Sequence, residues 1–182
     1  MGLTLLLGGA GAGKSRLAMR LAEASGRPVV VVATAEPRDE EMAERIRRHR
    51  DERPPQWGTI EEPVDLEAAL SSVPEEALAV VDCLTLWVSN LLEQGLSDQD
   101  IEDRARKAAQ LAATRSAGTV AVTNEVGSGV VPANALARRY RDVLGRVNAI
   151  WAETADRTAL VVAGQVLPLS PPEQLLGEGE GG

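Results

Sequence analysis

A short apolar run, Leu3-Thr4-Leu5-Leu6-Leu7, leads directly into Gly8-Gly9-Ala10-Gly11-Ala12-Gly13-Lys14-Ser15. No other stretch restricts the fold as strongly. The pattern fits a phosphate-binding loop, in which Gly, four residues and Gly-Lys-Ser/Thr follow a strand and open a helix. Glycines let the backbone turn with positive φ and gather successive N–H groups around a phosphate chain. Lys14 would reach the β- and γ-phosphates, and the Ser15 hydroxyl would ligate Mg²⁺. Arg16 to Ala24 is rich in Leu, Ala, Met and Arg, so a helix should start at the loop and point its positive end at the anion. Gly8, Gly9, Ala10, Gly11, Ala12, Gly13, Lys14 and Ser15 are therefore the first candidate nucleotide-binding residues.

The rest of the chain supplies the architecture. Val29 to Ala33, Ala77 to Asp82, Val120 to Val122 and Leu160 to Ala163 are apolar and mostly β-branched, as in strands buried on both faces. Trp57 to Ile60 and Gln165 to Leu169 read as further short strands. Helical stretches lie between them: from a cap at Asp39 to about Arg50, with Met42 and Ile46 on one face, then Val64 to Leu70, Leu84 to Leu92, Asp98 to Ser116 and about Asn134 to Ala155. This alternation predicts an α/β fold of three layers, a P-loop NTPase domain of the RecA-like kind with a mostly parallel central sheet. At 182 residues the chain suits one such domain, over residues 1–170. Residues 171–182, ending in the low-complexity Gly177-Glu178-Gly179-Glu180-Gly181-Gly182, are expected to be a disordered tail.

Charge and composition exclude several classes. A net charge of −8 argues against a nucleic-acid partner, which needs a basic face. Trp57, Trp87, Trp151 and Tyr140 are the only aromatics, too few for stacking along a strand of bases. Cys83 is the only cysteine, so no internal disulfide can form and no Cys/His zinc cluster is available. No apolar run approaches the length of a membrane span, and the N-terminus lacks the basic region and cleavage site of a signal peptide. The expected location is the cytoplasm.

Three places outside the loop could carry chemistry. Asp82 follows four apolar residues at a strand end, where an acid can hold a Mg²⁺ already touching Ser15. His49 is the only histidine and lies in Arg45-Ile46-Arg47-Arg48-His49-Arg50-Asp51-Glu52-Arg53, the densest basic cluster of an acidic chain. Nearby cations disfavour a charged imidazolium, which would leave a neutral ring nitrogen able to attack phosphorus. The residues alone leave two roles open for it, nucleophile or solvated bystander at a helix end. Thr123-Asn124-Glu125, after the fourth buried strand, could place a side chain near the γ-phosphate. The Asn-Lys-x-Asp signature of regulatory GTPases is absent.

Taken together, these segments resemble the bifunctional adenosylcobinamide kinase / adenosylcobinamide-phosphate guanylyltransferase family of cobalamin (vitamin B12) biosynthesis. The matching pieces are the loop through Arg16, Ala33-Thr34, Asp39 to Ile46, His49-Arg50 with Arg53-Pro54, Trp57 with Thr59 and Glu61, Asp82-Cys83-Leu84-Thr85 with Asn90-Leu91-Leu92, Thr123 to Gly127 with Gly129 to Pro132, and Leu136 to Asn148 in parts. The resemblance implies phosphorylation of adenosylcobinamide by ATP or GTP. It further implies transfer of GMP from GTP to the resulting phosphate through a covalent histidine intermediate, a role that falls on His49. It also implies GTP contacts at Ala33, Thr34, Ala35, Arg50, Asp51, Glu52, Arg53, Glu61 and Asp82, a corrinoid acceptor, and a homotrimer with clefts between subunits. Two positions depart from some relatives: Arg48 stands where they carry a second histidine, and Asp82 where they carry Glu. Two other readings remain at this point. One is a P-loop small-molecule kinase that would not need His49, and the other a non-catalytic nucleotide switch.

Overall fold

The computed structural model describes residues 2–176. The first strand, β1 (Leu3–Leu7), is buried along its whole length in the interior of a seven-stranded sheet. The chain then alternates: α1 (Lys14–Ala24), β2 (Val29–Ala33), α2 (Glu40–Asp51), β3 (Gly58–Glu61), α3 (Leu66–Ser72), β4 (Leu78–Asp82), α4 (Leu84–Glu93), α5 (Asp98–Thr114), β5 (Thr119–Val122), α6 (Ala135–Thr154), β6 (Arg157–Val162), β7 (Gln165–Leu169) and the short α7 (Glu173–Leu176). The strand order is β3-β2-β4-β5-β1-β6-β7. Every neighbouring pair is parallel except β6 and β7, whose tight turn makes them antiparallel. The result is the expected three-layer α/β P-loop NTPase fold, with β5 inserted between the loop-bearing strand and the strand that ends in Asp82.

Period-2 alternation sorts the strand side chains onto two faces. Leu3, Leu5, Val32, Ala79, Val81 and Ala121 point to the side covered by α3, α4, α5 and α6, where Trp87 and Trp151 are buried. Leu6, Val29, Val31, Val80, Val120 and Val122 point to the side of α1, which contributes Ala18 and Ala22. Crossing the sheet at its carboxyl edge, the loops after β1, β2, β4 and β5 converge, which is where ligands of parallel sheets bind.

Some boundaries differ from the sequence expectation for local reasons. The third helix starts at Leu66 rather than Val64 because the Glu62 carboxylate accepts from the N–H groups of Val64 and Asp65, and Asp65 caps the helix through Ala68 N. The sixth strand starts at Arg157, since pairing with β1 begins at Thr4. Pro168 sits in the edge strand β7, where a missing N–H costs no internal ladder bond. Within the expected tail, Glu173–Leu176 form a helical turn; Gly177 to Gly182 lie outside the described residues. No described helix is long and apolar enough to cross a membrane.

Candidate active site

The phosphate loop is braced from two sides. Glu125 N donates to Gly8 O at 3.1 Å and Gly164 N donates to Ala12 O at 2.9 Å, so the turns after β5 and β6 fix its shape. A Cβ on Gly8 would stand 2.3 Å from the Val161 carbonyl, a distance only glycine avoids. Gly13 takes φ 99 immediately before α1, a left-handed turn into the helix that glycine adopts without strain. Lys14 is buried and its ammonium donates to the carbonyls of Gly8 and Gly9 at 2.9 and 2.7 Å. Burial lowers the Lys14 pKa from its ordinary value, against the Asp82 charge, which raises it, while Arg45 lowers it further.

Opposite the loop stands α2. Asp39 caps it by accepting from Met42 N at 2.7 Å, and Glu40 and Glu41 occupy its first turn, where carboxylates favour the dipole. None of its residues is buried. Its inner face, Met42, Arg45, Ile46, His49 and, beyond its end, Arg53, recurs at three- and four-residue spacing and lines an open cleft of about 990 Å³ together with Ala10 to Arg16. Ligand pockets run to about 1,000 Å³ at the upper end, so the cleft has the capacity of a large substrate.

His49 thus faces the phosphate loop. Its Nδ1 lies 3.8 Å from Asp82 Oδ2, and Arg53 Nη2 lies 3.6 Å from the same oxygen. Ser15, His49, Arg53, Trp57 and Asp82 also meet around a small side pocket of about 20 Å³ at the floor of the cleft. Arg53 is mostly covered; burial lowers its pKa from the ordinary value, against the Asp82 charge, which raises it. Arg50 pairs with Glu61 on β3, closing the outer end.

The residues named from sequence divide into two sets. Ala10 to Ser15, Ala33, Ala35, His49, Arg50, Glu52, Arg53, Glu61 and Asp82 all line the cleft. Thr34 does not: its side chain is fully buried, donating to Cys83 O at 2.7 Å and accepting from Cys83 N at 2.9 Å. Since Thr34 N also donates to Asp82 O at 3.1 Å, this residue positions the backbone that carries Asp82 rather than offering a hydroxyl to the cleft. Asp51 is exposed and does not line the cleft, because helical spacing turns it away from the face that carries His49 and Arg53. Gly8 and Gly9 contribute only the carbonyls that hold Lys14.

Several further residues of the matching segments, not assigned to the nucleotide from the sequence, also reach the cleft. Arg16, Arg45, Thr85 and Asn124 line it. The Asp39 cap and the spacing of Met42 with Ile46 were the signal for α2, and Arg45 lies on the same face. Thr85 and Asn124 belong to a buried polar network: Asn124 N donates to Thr85 Oγ1 at 2.7 Å, Asn148 Nδ2 to Asn124 O at 3.0 Å and Thr123 Oγ1 to Asn148 Oδ1 at 2.7 Å. A second buried amide, Asn90, donates to Thr34 O and Pro63 O and accepts from Arg38, tying together the loops after β2 and β3. Such amides are fully satisfied only when the loops hold one geometry.

The family model described as cobinamide kinase / cobinamide phosphate guanyltransferase matches residues 4–169. The chain belongs to this family. It is 44% identical over 168 residues to the bifunctional adenosylcobalamin biosynthesis protein CobP of Pseudomonas aeruginosa, covering 91% of this chain and 95% of that protein. It is 37% identical over 176 residues to the bifunctional adenosylcobalamin biosynthesis protein CobU of Salmonella typhimurium, covering 89% and 96%. Among solved structures it is similar to a Pyrococcus horikoshii OT3 protein studied as project PH0250, with a TM-score of 0.53 at 9% identity, over 92% of this chain and 85% of that one. That likeness concerns the fold. Membership of the family makes the chain a transferase of cobalamin biosynthesis, and the matched span runs from β1 to β7, so it takes in both the phosphate loop and the helix bearing His49.

Proposed function

We propose that this chain phosphorylates adenosylcobinamide with ATP or GTP and then transfers GMP from GTP to the new phosphate, with His49 as the nucleophile that carries GMP. The observation that supports this reading most is the position of His49, on the face of α2 that shares one cleft with Lys14, Ser15 and Asp82. A phosphate loop alone suffices for a kinase. A histidine facing it across a cleft is what a covalent nucleotidyl carrier requires.

In the transfer, a ring nitrogen of His49 attacks the α-phosphorus and pyrophosphate leaves. The Asp82 carboxylate, 3.8 Å from Nδ1, favours the proton on that nitrogen and leaves Nε2 free to attack. Lys14 and the loop N–H groups stabilise the charge that develops on the leaving group. Arg50 and Glu61 at the outer end of the cleft, and Glu52 and Arg53 nearer its floor, contact the nucleotide in this reading. The Ser15 hydroxyl and the Asp82 carboxylate meet at its floor, two hard oxygen donors of the kind Mg²⁺ takes alongside phosphate oxygens and water. Mg²⁺ held there would neutralise phosphate charge.

Assembly as a homotrimer belongs to the same reading. Val166, Leu167 and Leu169 on edge strand β7, with Val130 and Val131 after β5, are large exposed apolar side chains of the sort an interface between copies covers. Sedimentation of the purified protein checks it.

The deciding experiment incubates the protein with α-labelled GTP and Mg²⁺ without acceptor, followed by denaturing mass spectrometry. One GMP adduct is expected, absent in His49→Ala and discharged by cobinamide phosphate. Wild-type GMP transfer by His49→Ala would sink the covalent route.

A further inference from the structure

The cleft must admit two phosphate chains in succession, and the direction of displacement at phosphorus fixes where the second one enters. We propose that the phosphate loop, with Lys14 and the guanidinium of Arg45, binds the phosphate of the incoming acceptor in the second half of guanylyl transfer, in the place pyrophosphate has just left. This rests on the His49 route proposed above.

Attacking and leaving atoms at a transferred phosphorus lie roughly in line. In the first displacement a nitrogen of His49 forms a bond to the α-phosphorus. The bond to the bridging oxygen breaks, and that oxygen leaves with the electron pair as pyrophosphate. His49 comes from α2 and the loop from the turn between β1 and α1, so the leaving chain points away from α2 and toward the loop. In the second displacement an oxygen of the acceptor phosphate bonds to the same phosphorus. The N–P bond breaks and its electron pair returns to the imidazole, whose other nitrogen keeps its proton throughout. Nitrogen is now the leaving atom, so the acceptor oxygen enters from the side away from α2. One anion cradle serves as exit for pyrophosphate and as entrance for phosphate.

The charges of the cleft agree with this assignment. Arg47 pairs with Glu44, Arg50 with Glu61, and Arg53 faces Asp82. Among the described residues Arg16 and Arg45 have no carboxylate within ion-pair distance. Arg45 stands one helical turn before His49 on the same face. Its positive charge acts on Lys14 across the cleft. Two cations from opposite walls, one buried and one without a carboxylate partner, repel each other until an anion lies between them. A phosphate dianion or a pyrophosphate satisfies both equally, because each presents the same oxygens.

The test separates the half-reactions. The GMP-bearing protein is first isolated free of GTP, then discharged with cobinamide phosphate at several concentrations of methylenediphosphonate, a pyrophosphate mimic. A shared subsite predicts a rise in apparent KM for cobinamide phosphate with the limiting rate unchanged. A fall in the limiting rate at constant KM overturns the proposal. So does no effect at concentrations that block regeneration of GTP by pyrophosphate. Arg45→Ala should raise KM for cobinamide phosphate and for pyrophosphate by similar factors, roughly tenfold or more for one lost charge-assisted hydrogen bond, with partial recovery in Arg45→Lys. A change in one constant alone, or in neither, overturns it as well. Failure to form any GMP adduct would instead refute the His49 route.

Discussion

The two faces of the sheet are covered in opposite ways. On one side α3, α4, α5 and α6 bury large side chains, including Trp87, Trp151, Leu91, Ile101 and Leu144. On the other, α1 buries the small residues Ala18 and Ala22, and α2 buries nothing. Burial of apolar area is the dominant favourable term in folding, so the first face holds the fold together while the second leaves room for substrate. The helix that carries His49 is fastened by its Asp39 cap and by ion pairs near its C-terminal end rather than by a core stripe. Elements with few buried apolar contacts open at low free-energy cost, which suits the role proposed for this helix, presenting His49 to two successive substrates.

Substitutions test this contrast directly. Trp87→Ala on the thick face should cost about 3–5 kcal/mol in denaturant unfolding, since the indole is buried and also donates to Val64 O at 2.8 Å. The next largest effect is expected at Arg115, whose guanidinium donates to the carbonyls of Leu70, Val73, Pro74 and Ala77 at 3.1, 3.1, 2.7 and 2.8 Å. It pins the turn between α3 and β4 to the end of α5. Arg115→Lys cannot reproduce that fork, and a loss of about 2–3 kcal/mol is expected in the same assay. On the thin face, Ile46→Ala should cost less than about 1 kcal/mol while weakening nucleotide binding in the cleft. If Ile46→Ala cost as much as Trp87→Ala, the division of labour between the faces would be wrong.

Thr34 lies at the border between the two roles. Thr34→Val keeps the shape but leaves the Cys83 carbonyl and N–H without their shared partner, at a cost of about 1–3 kcal/mol. The same change should lower kcat more than it raises KM for GTP, because it moves the backbone of Asp82 and not the loop. Thr34→Ser, which restores the hydroxyl, should recover the rate.

Most of the scaffold was legible because strand and helix periods differ so clearly in this chain. Val29 to Ala33 and Leu78 to Asp82 could hardly be anything but central strands, and the loop between Leu7 and Lys14 located the site. What could not be read was direction within the loops. Thr34 sits between two cleft-lining alanines, yet its hydroxyl turns inward because the Asp82–Cys83 backbone offers both a donor and an acceptor there. The proximity of His49 to Asp82 joins residues far apart in sequence and depends on how α2 lies over the sheet, which no local pattern encodes. Arg45 was visible only as one arginine among several; its lack of a carboxylate partner emerges when Glu44 and Glu61 are seen to engage its neighbours instead.

An effect confined to high pH concerns Cys83, which is partly buried beside the thin-face core just after β4 and also lines the cleft. Burial pushes its thiol up to about 11 from an ordinary 9.0, and the Asp82 charge adds to the shift. A pKa raised in the folded state means that the associated stability is complete below the unfolded value and is lost as pH rises toward the folded one. Unfolding free energy should therefore decline from about pH 9 upward, and the Cys83→Ala variant should lack that part of the slope; Tyr140, pushed up to about 12 by burial, adds its own decline only at higher pH. Alkylation gives a second reading of the same group. At pH 8 the folded protein should react far more slowly than the unfolded chain, since only the thiolate is nucleophilic. Reaction at the free-thiol rate would mean that water entering through the cleft, which Cys83 lines, solvates the thiol freely, and the contrast between the faces would then extend from their packing to their hydration.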